Sequence, residues 1–445
     1  MSETELTDAQ IAELVAGLFV PWKIEGCYER LKTAGDRAVP FLVSALEDPR
    51  IPATAFISPG LLNSNSPYYL ISDLLENSRS ADAAAPFVEY VNGPDPRFRQ
   101  DGALRLGAIG LETCIEPMKR ILTGDDRDLR GYVLMGIERA LTSGRATPEF
   151  IGAIRPCLVD LLKVPDRFGQ YPAPGLLVRI DAQYATRTLL SPDHLSLDNP
   201  GLRYVIAALN DAGSPIPHAS LLPLIDQLEP LAGEYRRSSE LNEALLAYAR
   251  NPDGNAEARL RGLLKPPDEG AETEAARAWL RPPLEQVQTG AARALAALNG
   301  LEDFDRELIR IEIDEGAGAL SGAERNFRMA SMYYWEVMND GLWQYLECYA
   351  AQDHGAILDA LRAIGAPKTA QVLETAGNVF GPEGPPSDPV KCAEMVRSFS
   401  DAQAEIISNL NQNSLIPDDE NIEMLLYLYA AEHKDEFRAC ASRPS

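Results

Sequence analysis

The segment YYWEVMNDGLWQYL, residues 333–346, places carboxylate and amide side chains among two of the four tryptophans of the chain. Such groups beside an amphipathic tryptophan can bind another protein, because aromatic anchors are enriched at interfaces. Glu336 and Asp340 are four residues apart, and like charges at this helical spacing repel by roughly a few tenths of a kcal/mol. A cationic partner would relieve this repulsion. We therefore predict a partner-binding cluster of Glu336, Asn339, Asp340, Trp343 and Gln344.

The same segment also fits the core of a helix pair. Gly341 follows Asn339-Asp340, and this order predicts the end of a helix, because glycine adopts the left-handed conformation freely. In this interpretation Glu336 and Gln344 hydrogen-bond the free amides of the turn. The buried seam between the two helices would then consist of Trp335, Leu342, Tyr345, Leu346 and Tyr349.

The sequence contains no recognisable catalytic motif. Its four histidines, His194, His218, His354 and His433, lie outside any zinc-binding or nucleophile pattern. Ser214 and His218 are close in sequence only by chance, and the six cysteines lack the spacing of a metal site. We predict that the protein is not an enzyme and uses no cofactor or metal. Catalysis by carboxylates stays open, since it leaves no motif.

The chain is strongly acidic, with 66 Asp and Glu against 41 Lys and Arg, a formal charge of −25. Residues 301–445 hold 26 acidic and 11 basic residues, so their net charge of −15 leaves −10 for residues 1–300. Such a field repels nucleic acid and anionic membranes and attracts basic proteins. We predict a basic protein partner, with no direct binding of nucleic acid and no membrane contact. The alternative is that the acidity only confers solubility.

Three features predict a cytoplasmic location. The N-terminal segment places acidic residues where a signal peptide has Lys or Arg. No apolar run approaches the roughly 18 residues that span a bilayer. The scattered cysteines are typical of reduced thiols.

Residues 1–300 contain a repeated pattern of helix pairs. One marker is a proline that opens an apolar helix, found at Pro40, Pro86, Pro117, Pro156 and Pro223. The other is an acidic turn followed by an apolar residue and an arginine. Arg99 and Arg130 in this marker are 31 residues apart, as are Pro86 and Pro117, and Arg203 belongs to a third copy. Helix pairs at such a period predict stacked repeats.

These markers resemble the HEAT repeats of short bacterial arrays, most clearly over residues 81–165. The resemblance implies an α-α superhelix whose groove binds a partner as a scaffold, which is the alternative to recognition by the acidic third. It also leaves open a bilin lyase-like enzyme, since such repeats occur in lyases that attach bilin chromophores. Arg99, Arg130 and Arg203 would form either an anion-binding row or pairs with acidic turn residues of adjoining repeats.

Residues 320–381 carry a second resemblance. Ser321 and Glu324 fit a capping box at a helix start, and Gly365-Ala366-Pro367 marks a later turn. With the motif EVMNDG, residues 336–341, and the aromatic residues after it, they resemble the domain of unknown function found in bacterial DNA-mimic proteins. Asp340 stands where that family has the first glycine of a pair. The resemblance implies a surface of acidic side chains that basic DNA-binding proteins accept as phosphate.

Together these patterns predict an all-α protein. A HEAT-like α-α superhelix, or solenoid, would occupy residues 1–300, and a compact acidic α-helical domain would occupy residues 301–445. Proline-rich stretches predict loops or helix boundaries at residues 264–275, 280–286 and 381–389. The predicted function is protein interaction, with DNA mimicry as one form of it. The partner's identity and the oligomeric state stay open.

Overall fold

The computed structural model describes residues 6–58, 61–62, 64–162, 164, 172–265, 274–302, 304–413, 416–417 and 420–437. Over these residues the chain is all-α apart from one short hairpin, which confirms the predicted fold class. It divides into two compact units, residues 1–214 and 215–445. Within the described part, no helix combines the length and apolar composition that a membrane span requires.

The first unit contains most of the predicted repeat region. Strands β1, Phe56–Ser58, and β2, Leu61–Leu62, pair antiparallel, with Phe56 opposite Leu62. The helices are α1 Asp8–Gly17, α2 Ile24–Ala34, α3 Val39–Ala45, α4 Ile51–Thr54, α5 Pro67–Glu76, α6 Ala85–Asn92, α7 Pro96–Ile109, α8 Ile115–Thr123, α9 Arg127–Thr142, α10 Pro148–Leu161, α11 Ala173–Ile180, α12 Ala182–Leu189 and α13 Leu202–Asp211.

The second unit is helical throughout its described residues. Its helices are α14 His218–Leu228, α15 Tyr235–Arg250, α16 Ala256–Gly262, α17 Glu274–Leu298, α18 Phe304–Glu315, α19 Gly322–Cys348, α20 Ala350–Ala363, α21 Pro367–Asn378, α22 Pro389–Arg397, α23 Asp401–Asn413 and α24 Ile422–Glu432.

Helices α7 and α9 begin at Pro96 and Arg127, which reproduces the 31-residue spacing of the sequence markers. The acidic turns cap both helices: the Asp95 carboxylate accepts from the Arg97 amide at 2.9 Å, and that of Asp126 accepts from the Leu129 amide at 3.2 Å. Such caps satisfy amides that have no partner inside the helix. The arrangement of the helix pairs as a solenoid stays a prediction.

Two glycines allow α7 and α9 to cross backbone against backbone. A Cβ atom at Gly136 would lie 2.1 Å from the Leu104 carbonyl oxygen, and one at Gly107 would lie 2.4 Å from that of Val133. Both distances are far below van der Waals contact. Only glycine fits at either position without displacing a helix.

A buried ionic network joins α5, α7 and the turn after α9 in the first unit. Arg105 of α7 pairs with Glu76 at 2.6 Å and lies 3.5 Å from Asp101. Arg145, in the turn after α9, pairs with the other Glu76 oxygen at 2.8 Å, and the Tyr68 hydroxyl donates to Asp101 at 2.6 Å. Removing one member would leave an uncompensated buried charge, so the network locks the register of these helices.

Two of the predicted helix starts are wrong. Pro40, Pro86 and Pro117 lie in the first turn of their helices, whereas Pro156 and Pro223 lie inside α10 and α14. Helix α10 already begins at Pro148, because Thr147 caps it by accepting from the Phe150 amide at 3.2 Å. Its buried stripe, Phe150, Ile154, Leu158 and Leu161, continues past the proline. Burial of this face stabilises α10 even though Pro156 has no backbone N–H to donate a hydrogen bond within the helix.

The predicted linkers have three outcomes. Residues 382–388 form a loop, as predicted, before α22 begins at Pro389. Residues 280–286 lie inside α17, so the predicted boundary there is wrong. Residues 266–273, the greater part of the stretch 264–275, lie outside the described residues.

In the second unit, a hydrophobic core includes buried residues from Ala296 to Phe437. Asn421 links its last helix to α17, since its side-chain amide donates to the Glu285 carbonyl at 3.1 Å and to the Thr289 hydroxyl at 3.0 Å. The same side chain caps α24 by accepting from the Met424 amide at 3.0 Å. The start of α24 is therefore fixed against α17.

Replacing Gly136 by alanine tests the close crossing of α7 and α9. The new methyl group overlaps the Leu104 carbonyl, so we expect the free energy of unfolding to fall by about 2–3 kcal/mol. Gly152→Ala in α10 is the control, because a Cβ there has open space, and its helix propensity predicts a gain of about 0.5–1 kcal/mol. Equal denaturation midpoints for the two variants would contradict the crossing.

Candidate partner-binding site

The predicted cluster surrounds a sharp break in α19. Ser321 and Glu324 form the predicted capping box, in which the Ser321 amide donates to the Glu324 carboxylate at 2.8 Å and the Glu324 amide donates to the Ser321 hydroxyl at 3.1 Å. The helix then continues to Gly341, whose φ of 78° and ψ of 174° interrupt it. A second helical segment begins at Leu342. The predicted stop at Gly341 is confirmed.

The amide released by this break has a partner from another helix. The Leu342 amide donates to Asn411 Oδ1 of α23 at 2.8 Å. A Cβ atom at Gly341 would lie 2.9 Å from the same oxygen, so glycine is required by both the positive φ and the close approach. Asn411 holds the Leu342 amide, a role that we expected Glu336 or Gln344 to fill.

One stripe of residues defines the buried face of the first segment. Ala330, Tyr333 and Val337 are fully buried, and Trp335 lies on the opposite face with 54% of its surface exposed. The prediction that Trp335 belongs to the buried seam is therefore wrong, because the helical period places it about half a turn from Tyr333 and Val337. Beyond the break Leu342, Tyr345 and Leu346 are buried as predicted, and Tyr349 is half-buried.

The five predicted site residues occupy both sides of the break. Glu336, Asn339 and Asp340 share the last turn of the first segment, where Asn339 and Asp340 are exposed and Glu336 is half-buried. Gln344 is exposed, and its amide lies 3.1 Å from Cys348 Sγ. Trp343 is half-buried, with its ring 6.2 Å from that of Phe399. The break thus exposes three of the five side chains and leaves the other two partly packed.

Glu336 interacts with the aromatic residue that follows the second segment. The negative charge of Glu336 raises the pKa of Tyr349 above the ordinary value. Partial burial of Tyr349 and the hydrogen bond that its hydroxyl donates to Glu336 act in the same direction. Neither Glu336 nor Asp340 forms an ion pair with another described residue. Within the described part of the chain, the negative charge of each carboxylate is therefore not neutralised by a Lys or Arg.

Sequence reasoning missed the apolar part of this surface. Met338, like Trp335, is 54% exposed, and the two are three residues apart on one helical face. Asn339 lies on the same face, with Glu336 and Asp340 beside it. We call this surface, formed by Trp335, Glu336, Met338, Asn339 and Asp340, the Trp335 face. The periodicity of Ala330, Tyr333 and Val337 was the signal that could have identified it.

The remaining candidate groups have structural partners. Arg99 pairs at 2.6 Å with Asp126, the residue that caps α9, and Arg130 donates to the Gly124 carbonyl. Ser214 bonds the Thr186 hydroxyl at 2.8 Å, and His218 Nε2 lies 2.5 Å from the Asn251 carbonyl.

Arg203 is exposed, with its guanidinium 6.0 Å from the centre of the Tyr204 ring. Of the described residues, no group of three or more His, Cys, Asp or Glu is placed to hold a metal ion.

A buried carboxylate fixes the later helices of this domain. Glu420 accepts from the Lys368 amide, the Thr369 amide and the Thr369 hydroxyl, each at 2.7 Å. Its negative charge lies at the positive end of the α21 dipole. This contact joins the start of α21 to the residue before the cap of α24.

The fold and the site together define an all-α protein with an acidic, aromatic surface at a helix break. Residues 318–433 match the family model described as DMP19-like protein, which confirms the resemblance predicted for this domain. The matched region contains α19 to α24 and therefore the whole Trp335 face. No curated protein matches the chain.

The titration of Tyr349 tests the position of Glu336. Replacing Glu336 by glutamine removes the neighbouring negative charge, so the pKa of Tyr349 should fall toward the ordinary tyrosine value of about 10. NMR of ring-labelled tyrosine follows this group, with Tyr349→Phe providing its assignment. Glu394→Gln removes an exposed charge from α22 and should leave the titration unchanged. An unaltered pKa in Glu336→Gln would contradict the contact.

Proposed function

We propose that the chain is a non-enzymatic protein-interaction protein whose domain at residues 318–433 binds a basic partner through the Trp335 face. The observation that carries this proposal is the exposure of Trp335 and Met338 beside two carboxylates, Glu336 and Asp340, that form no ion pair with another described residue. Large apolar side chains in solvent, rimmed by charge, are typical of interaction sites. The net charge of −15 on residues 301–445 favours a cationic protein over nucleic acid.

The two kinds of side chain on the Trp335 face would contribute differently. Burial of an exposed tryptophan at an interface contributes about 2 kcal/mol or more, so Trp335 is the expected hot spot. Glu336 and Asp340 would attract and orient the partner, an effect that salt weakens. The apolar anchor would supply affinity, and the carboxylates would supply the preference for a basic surface.

A nucleic-acid-binding protein is the class of partner that the family resemblance suggests. In DNA mimicry, Glu336 and Asp340 would occupy positions that such a protein uses for phosphates. Trp335 and Met338 have no counterpart in a phosphate backbone, so the proposed interaction includes direct apolar contact as well. We place this interaction in the cytoplasm, consistent with the sequence expectation.

Capture of partners from the native host tests the proposal. The full chain should bind a basic protein more tightly at about 0.01 M salt than at about 0.15 M, where the Debye length has fallen from about 30 to about 8 Å. Trp335→Ser should weaken binding by about 30-fold, equivalent to about 2 kcal/mol. Glu336→Gln combined with Asp340→Asn should weaken it mainly at low salt.

A matched control removes the same number of charges elsewhere in the domain. Glu394→Gln combined with Glu405→Gln alters two exposed acids on α22 and α23 and should bind like the unaltered chain. Equal loss in both double variants would show that only total charge matters, against a defined site. A partner held equally well at both salt concentrations would contradict the proposal and support a scaffold that binds through an apolar groove.

A further inference from the structure

A short motif, Asp-Pro-Arg, occurs twice in the first unit with the same local structure. In Asp48-Pro49-Arg50 the arginine amide donates to its aspartate Oδ1 at 2.9 Å, and Nη2 donates to Oδ2 at 2.7 Å. Asp95-Pro96-Arg97 repeats both bonds at the same two distances. The two turns, which follow α3 and α6, therefore have the same structure. In each, the aspartate carboxylate accepts hydrogen bonds from both the amide and the guanidinium of its arginine, and we call this arrangement a clasp.

The arginines of the two clasps are also held in the same way. The Arg50 guanidinium lies 4.2 Å from the centre of the Phe19 ring, and that of Arg97 lies 4.7 Å from the centre of the Phe56 ring. Cation–π contacts of this kind fix a guanidinium over an aromatic face. Each guanidinium is thus held both by its aspartate and by an aromatic ring.

A cleft of about 340 Å³ lies between the two turns. Its apolar floor and walls include Ile51, Leu46, Tyr90 and Phe98, with prolines of both loops at the edge. The Tyr90 and Phe98 rings lie 5.1 Å apart, and Phe98 packs edge-on against Tyr68 at 5.0 Å. This aromatic wall is rigid, because the Tyr68 hydroxyl is held by the buried Asp101.

The rim of the cleft is acidic. Glu47, Asp48 and Asp95 line it, whereas Arg50 and Arg97 do not. The hydrogen bonds from these arginines lower the pKa of both aspartates, so the carboxylates stay ionised. Glu47 is exposed and forms no ion pair within the described chain. The cleft therefore combines an aromatic wall with an uncompensated negative charge.

From this combination we infer a second binding site, which takes the side chain of a lysine or arginine in an extended segment of a partner protein. The aliphatic stem of such a side chain packs on apolar walls while its charged end remains at the rim. Its cation is attracted by the Glu47 carboxylate, since Asp48 and Asp95 are already paired with the arginines of their clasps. An anion would be repelled by Glu47, and a purely apolar group would not interact with this charge. The site is independent of the Trp335 face.

The test uses blocked pentapeptides, acetyl-Gly-Gly-Xaa-Gly-Gly-amide, and the full chain with labelled Ile and Leu methyl groups. The Arg and Lys peptides should shift the methyl signals of Ile51 and Leu46, with dissociation constants in the millimolar range. Citrulline has the same shape as arginine without its charge and should bind at least roughly fivefold more weakly. Equal binding of the citrulline peptide, or no shift with any peptide, would overturn the inference.

A variant pair assigns the charge effect to the rim. Glu47→Gln should weaken binding of the Arg peptide by roughly two- to fivefold at low salt, the effect of losing one exposed ion pair. Glu13→Gln removes an exposed charge from α1 and should bind like the unaltered chain. Both positions are at the surface, so neither substitution threatens folding. The same affinity for both variants would contradict the proposed role of Glu47.

Discussion

The hydrogen bond from the Leu342 amide to Asn411 is the constraint on which the second unit's surface depends. A break at Gly341 releases an amide that water or a side chain must satisfy, and a buried amide without a partner costs about 1–3 kcal/mol. Asn411 supplies that partner from a helix 69 residues further along the chain. The direction in which the second segment leaves the break is thereby tied to the position of α23. As a result, Asp340 before the break and Trp343 after it keep fixed positions relative to each other.

The two units use charged residues in opposite ways. In the first unit Glu76, Asp101 and Arg105 are buried and paired, so their charges serve the packing of α5 against α7. In the second unit Asp340 is exposed and Glu336 is half-buried, and neither forms an ion pair with another described residue. Buried pairs specify register at the cost of desolvation, whereas exposed carboxylates cost little and act at a distance. This difference favours a structural role for the first set and a recognition role for the second.

Local sequence signals predicted the ends of helices well and tertiary partners poorly. The capping box of Ser321 and Glu324 and the stop at Gly341 are confirmed, because each depends on residues within one turn. The acidic turns of the repeat markers contain Asp95 and Asp126, whose role as helix caps the sequence analysis did not predict. Asn411 could not be predicted, since its contact arises from the packing of distant helices. Pro156 was misjudged because its local preference for a first turn is overridden by the buried stripe of α10.

In the candidate site, too, local features were predicted better than tertiary packing. Asn339, Asp340 and Gln344 are exposed, as expected of polar residues beside a turn, but Trp335 was assigned to the core by residue type rather than by its position on the helix. The clasps at Asp48 and Asp95 illustrate another limit. Their motif is visible in the sequence, whereas the Phe19 and Phe56 rings that hold the arginines come from other elements.

Amide hydrogen exchange at Leu342 tests the central constraint most directly. The account predicts that this amide, although it follows a helix break, exchanges as slowly as the interior amides of α19, and that Asn411→Ala returns it to the rate of an exposed turn. Rapid exchange in the unaltered chain would show that Asn411 does not hold the break, and the fixed surface around Gly341 would be contradicted.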